Sequence, residues 1–146
     1  MKKLLLAITV TLLLANCQSG TSQEVNPETV KFDGKWQLVK IGVGFPPPNG
    51  PTSFKPPYQE VLEFNISKRQ FTRTKDGKIT ENNSFKITDL AEFGGSTRRA
   101  AIVFEEDNTY AFYSFIENPN YLTLQQRVPI GAYLADGNTF FYEKMQ

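Results

Sequence analysis

"YQEVLEFNISKRQFTRTKDGKITENNSFKIT", residues Tyr58 to Thr88, decides the fold class of this chain. Leu62, Phe64 and Ile66 fall on one face of an extended chain, and Glu63 and Asn65 on the other. That alternation is the period of a half-buried strand. Two connections cut the stretch, Ser67-Lys68-Arg69 and Asp76-Gly77. Asp-Gly is a two-residue hairpin signal, because both central positions of the tight turn want positive φ. The runs Tyr58–Ile66, Gln70–Lys75 and Lys78–Thr88 therefore predict an antiparallel meander. In the third run Ile79, Phe85 and Ile87 share a face with Glu81 and Asn83.

The same pattern extends both ways. Lys35–Val43 precedes the meander, and Ala100–Glu106, Thr109–Ile116, Tyr121–Arg127 and Thr139–Met145 follow it. β-Branched and aromatic residues dominate these runs, and no helix of ordinary length has the 3.6 period. Asp107-Asn108 and Asn118-Pro119-Asn120 are further short connections. Two longer ones are Gly44–Pro57, with six of the nine prolines, and Leu90–Arg99, with a Gly pair. Eight antiparallel runs joined in sequence order predict an all-β fold, an eight-stranded up-and-down barrel whose closure removes exposed edges. A two-sheet β-sandwich satisfies the same periodicity. Thr109–Ile116, "TYAFYSFI", is apolar on both faces, which predicts a central strand or one covered by a loop.

Before the first strand the chain reads "MKKLLLAITVTLLLANCQSG". Lys2 and Lys3 precede an apolar run from Leu4 to Ala15 that is shorter than the about 20 residues needed to span a bilayer. This is the order of a secretory signal peptide. Leu14-Ala15-Asn16-Cys17 resembles a bacterial lipobox, with Asn16 where Gly or Ala is usual. That resemblance implies cleavage before Cys17 and acylation there, palmitate included. A lone cysteine in an exported chain has no disulfide partner, which fits an anchor. Gln18 follows where Asp would signal inner-membrane retention in enterobacterial lipoproteins, and no acidic export tag is present. The resemblance thus implies a lipid-anchored bacterial cell-envelope protein in the outer membrane, facing the periplasm. The expected organisation is 1–16 signal peptide, 17–31 polar tether, and 32–146 barrel domain.

Composition excludes several functions. Losing residues 1–16 removes two lysines and no acid, turning a net charge of +1 into −1. Without a basic stripe, nucleic acid is not an expected partner. There is no histidine, which removes Ser-His and Cys-His nucleophile pairs and imidazole metal ligands. No Gly-rich phosphate loop opens a helix. Glu105-Glu106-Asp107-Asn108 reads as a solvated hairpin turn or a weak calcium site. No cofactor and no enzymatic activity are expected.

Gly34-x-Trp36 on the opening strand, within "GKWQLVKI", resembles the signature of lipocalins and the start of bacterial lipocalin-like domains. The ending "GNTFFYEKM", Gly137–Met145, resembles their Tyr-bearing last strand with a basic residue. The resemblance covers about Phe32 to Met145. It implies that Trp36 packs at a closed barrel end beneath a basic side chain, Lys144 or Arg127. It also implies a small hydrophobic or amphipathic ligand in the barrel, with the Pro-rich loop either a lid or a stiff connection. Glu81 would be a polar lumen group paired with Asn83, Arg73 or a Tyr hydroxyl, since a buried carboxylate is costly unless paired. Phe64 and Phe112 complete the candidate lumen set. Twelve Phe and six Tyr equally suit a barrel filled by its own rings and serving as a structural or interaction module.

Overall fold

The computed structural model describes residues 27–91, 97–116 and 120–146; Cys17 and the leader lie outside the described residues. Among the described residues, ten strands follow one short helix, α1 (Pro27–Val30). They are β1 (Gly34–Gly42), β2 (Ser53–Phe54), β3 (Glu60–Asn65), β4 (Gln70–Lys75) and β5 (Lys78–Ala91), then β6 (Arg98–Phe104), β7 (Thr109–Phe115), β8 (Tyr121–Gln125), β9 (Val128–Pro129) and β10 (Thr139–Lys144). Eight of them pair antiparallel in sequence order, and β10 returns to β1 from Trp36↔Lys144 to Gly42↔Thr139. The sheet is a closed eight-stranded up-and-down barrel, not a sandwich. The two-residue strands β2 and β9 are additions that the alternation does not announce; they pair with the end of β1 and the start of β7.

Local chemistry explains the turns. Asp76 and Gly77 have φ of 48° and 76°, both positive as the Asp-Gly signal requires. At the β3–β4 connection the Asn65 side chain accepts from Ser67 Oγ and from the Lys68 amide, and Arg69 takes φ 52°. One expectation fails in β5. Arg73 lies opposite Glu81 but Thr74 lies opposite Ile79, so Thr80 is an extra residue. A bulge reverses the facing of everything before it. Ile79 is therefore turned out and 70% exposed, not on the face of Phe85 and Ile87.

Strand direction sorts the connections into two ends. The N-terminus and the β3–β4 turn lie at one end; the β1–β3 loop and the β4–β5, β6–β7 and β8–β10 connections lie at the other. The first end is closed. Residues 27–30, at the edge of the expected tether, form α1, and the chain turns directly into Phe32, which is fully buried. Its ring meets Phe64, Tyr113 and Phe115 edge-on at 4.6–5.4 Å. Trp36 is fully buried beside it and donates Nε1–H to the Phe32 carbonyl at 2.7 Å. Phe64, Phe71, Phe85 and Phe104 continue the stack upward, with centroids 4.8–5.2 Å apart. Among the described residues, all buried members of this core lie between Phe32 and Tyr142.

A second cluster sits on the outer face of β6 and β7: Ala101, Val103, Tyr110 and Phe112. Val128 of β9 packs over it, and Tyr110 donates its hydroxyl to the Ala132 carbonyl at 2.9 Å. That is the loop cover expected for a strand apolar on both sides.

Candidate binding cleft at the barrel mouth

Above the stacked rings the lumen turns polar. Inward positions at this level are Glu60 on β3, Arg73 on β4, and Glu81 and Asn83 on β5, set by direct pairing of Arg73 with Glu81. The β6–β7 turn adds Asp107, and Arg127 enters just after β8, where the pairing with β7 slips by one residue between Leu124↔Tyr113 and Val128↔Tyr110. Arg73 Nη1 lies 3.1 Å from Glu81, and its Nε 3.7 Å from Glu60. Arg127 bonds Glu81 through Nη1, and through Nη2 it bonds Asp107 at 2.7 Å and Thr109 at 2.8 Å. Asn83 donates to Glu81 at 2.8 Å and to Asp107 at 2.9 Å. Tyr142 of β10 donates its hydroxyl to Glu60 at 2.7 Å. The result is a septum of paired charges spanning the lumen. Pairing is what makes it tolerable, since an isolated ion there would cost several kcal/mol.

The septum lies directly on the aromatic stack. Arg127 sits 3.7 Å from the Phe104 ring centroid and Arg73 5.9 Å from that of Phe71. Guanidinium on an aromatic face is an attractive arrangement. Burial pushes the Tyr142 hydroxyl well above its ordinary value, and the Glu60 charge adds to this. It stays a donor throughout the ordinary pH range. Partial burial pushes Asp107 up, but the Asn83 hydrogen bond and the Arg127 guanidinium outweigh it and hold the carboxyl below its usual range.

Over the septum a cleft of about 370 Å³ opens toward the exposed rim residues Lys75, Thr80 and Gln126. Leu124, Phe140, Tyr142 and Tyr58 form its apolar wall. Glu60, Arg73 and Arg127 form the floor, with Gln125 at the side. Lys75 Nζ stands 3.7 Å from the Tyr58 ring centroid, capping that ring. The volume lies within the range of small-molecule sites, whose lower end is about 300 Å³.

Of the candidate lumen residues, Arg73, Glu81 and Asn83 come together here, with Glu81 paired to both other members. Phe64 lies below, 1% exposed in the stack, and lines no part of the cleft. Phe112 is on the outer face, because its neighbours Ala111 and Tyr113 take the inward positions of β7. At the closed end Lys144 stands over Trp36, 5.3 Å from the ring, and donates to the Lys31 carbonyl. Arg127, the other basic candidate for that place, is at the mouth instead.

Glu60, Asp107, Thr109, Tyr142 and Arg127 of the septum, and wall residues such as Leu124 and Phe140, are not among the lumen candidates that the sequence offers. Glu60 precedes Leu62 and Phe64 by the same period, so its facing was available from alternation. Tyr142 follows from Phe140 in the same way. Asp107 and Arg127 carry no such signal, because one stands in a turn and the other follows an irregularity. The acidic run is a hairpin fastener: Glu105 pairs with Lys86 at 3.5 Å and Glu106 accepts the Ser84 amide. The Pro-rich loop contributes no residue before Tyr58 to the cleft. Its Gly44 is pressed on the 136–137 backbone, where a Cβ would lie 2.1 Å from the Asp136 carbonyl oxygen. Phe45 beside it is 78% exposed, so the loop braces the rim and does not cover the mouth.

Comparison with family models, with curated proteins and with solved structures finds no match.

Proposed function

We propose that this chain is a lipocalin-like, non-enzymatic binding protein of the bacterial envelope that takes a small amphipathic ligand at the open end of its barrel. The observation that carries this reading is the cleft of about 370 Å³ standing over a filled lower lumen. Leu124, Phe140 and Tyr142 would supply apolar contact, and the polar floor would fix orientation. The lipocalin-like assignment is supported by the closed up-and-down barrel and by buried Trp36 beneath Lys144 on the last strand. The anchor rests on the leader and Cys17. With Gln18 next to it, the lipid would sit in the outer membrane and the domain in the periplasm.

A neutral fluorescent amphiphile, N-phenyl-1-naphthylamine, tests the binding reading on residues 27–146. Saturable enhancement is expected, and Thr80→Trp at the exposed rim should abolish it by blocking the mouth. Absence of saturable binding would favour the second reading, a structural module, to which the aromatic filling of the closed half already lends weight. Cys17→Ser should remove incorporation of a labelled fatty acid in cells. Equal labelling of both chains would contradict the anchor, and digestion of the domain by protease added to intact cells would contradict its periplasmic placement.

A further inference from the structure

The charges that face the cleft do not balance. Arg73, Lys75 and Arg127 line it, and Glu60 is the one acid among its lining residues. Glu81 and Asp107 meet the two guanidinium groups from the septum side and line no part of the cleft. Each of those pairs therefore presents its positive member to the opening. Arg127 is held through all three of its side-chain nitrogens, by Glu81, Asp107 and Thr109. Arg73 is held less completely. Its Nε is buried without a hydrogen-bond partner, 3.7 Å from Glu60, while 26% of the side chain stays exposed.

Lys75 is the freer cation. The register sets it directly opposite Glu60, the ordinary place for an ion pair across two strands. Glu60 is drawn instead to the Tyr142 hydroxyl, at 2.7 Å. Among the described residues no carboxylate lies within ion-pair distance of Lys75, whose ammonium rests on the Tyr58 ring. Arg73 and Lys75 are two residues apart on β4, so they share a face with Cα atoms about 7 Å apart. Two long cationic side chains at that spacing can meet the two oxygens of one carboxylate. Size is limited as well. Leu124 of β8 and Phe140 and Tyr142 of β10 stand across the barrel from β4, and Phe71, Phe85 and Phe104 fill the lumen beneath the septum. A long alkyl chain has no channel to enter.

We infer that the ligand of this cleft is a compact organic carboxylate, its head on Lys75 and the outer edge of Arg73 and its short apolar body on Leu124 and Phe140. This rests on the binding reading above and goes further by naming the head group and the size of the ligand.

Methyl NMR on the full chain in zwitterionic lipid nanodiscs tests it, with each probe dialysed to a known free concentration. The Leu124 methyl signals report the cleft, and those of Leu122, buried deeper on β8, should stay unmoved. Three probes share one ring system and differ in head: 1-naphthylacetate, 1-naphthylacetamide and 1-naphthyl phosphate. Dodecanoate is the long-chain acid. The acetate should bind about tenfold or more tighter than the amide, and Lys75→Gln, at an exposed position, should remove most of that preference. Equal binding of acetate and amide would overturn the inference while leaving the amphiphile reading intact. So would a preference that survives Lys75→Gln unchanged, which would place the head elsewhere. Tighter binding of the phosphate by about tenfold or more would overturn the carboxylate, and the same margin for dodecanoate would overturn the compact body. No movement of Leu124 with any probe would overturn both readings.

Discussion

Trp36 joins the two termini of the domain. Its indole nitrogen holds the Phe32 carbonyl, its ring fills the closed end, and Lys144 covers it from the final strand. Trp36→Ala should therefore leave a large cavity and cost about 3–5 kcal/mol, read from denaturant midpoints of residues 27–146. A loss under about 1 kcal/mol would mean that the ring is not part of the core. Arg127 has the corresponding role at the mouth, between Glu81 and Asp107. Arg127→Met should cost about 3 kcal/mol near neutral pH, at the low end for a broken buried pair because Asp107 is half-exposed. The pH dependence has a definite sign. The Asn83 hydrogen bond and the Arg127 guanidinium depress the Asp107 pKa in the folded state, so their stabilisation is present above the unfolded value of about 3.8. It is lost as pH falls through the lower, folded value. The deficit of Arg127→Met relative to wild type should thus shrink from neutral pH toward pH of about 3, measured by urea midpoints. A deficit that stays constant with pH would show that Arg127 acts through its stem on Phe104 instead.

Among the elements, the β4–β5 hairpin is the most locally determined. Gly77 has φ 76° and open space around its Cα, so a methyl group there meets only its own backbone. Gly77→Ala should cost about 1–2 kcal/mol for the left-handed conformation alone, with no change in the cleft, as thermal unfolding and naphthylamine binding would register. Strand existence was legible here for the same reason: alternation and turn chemistry are local, and Tyr58–Thr88 carries both. Facing was legible only as far as alternation runs unbroken. Leu62, Phe64, Phe85 and Ile87 obey it, whereas Ile79 lies across the Thr80 bulge and is reversed. Arg127 escaped for a similar reason, since the chain shifts between β8 and β9 just where it turns inward. The two-residue strands β2 and β9 are too short to carry a period at all.

At the scale of the whole molecule, eight sequential runs predicted closure, and the Trp36↔Lys144 pairing is its direct expression. The division of the lumen was not legible. Composition supplied enough rings for either a filled or a hollow barrel, and the structure has a filled half and an open half. The boundary is the septum, whose members come from β3, β4, β5, the β6–β7 turn, the β8–β9 link and β10. Only the closed barrel brings those six places together. Chemical-shift mapping of residues 27–146, titrated with N-phenyl-1-naphthylamine, tests this division most directly. The expected shifts fall on Tyr58, Thr80, Leu124, Gln125 and Phe140, while Trp36, Phe64 and Phe115 stay unmoved below the septum. Shifts at Trp36 and Phe64, or none at the mouth, would contradict it.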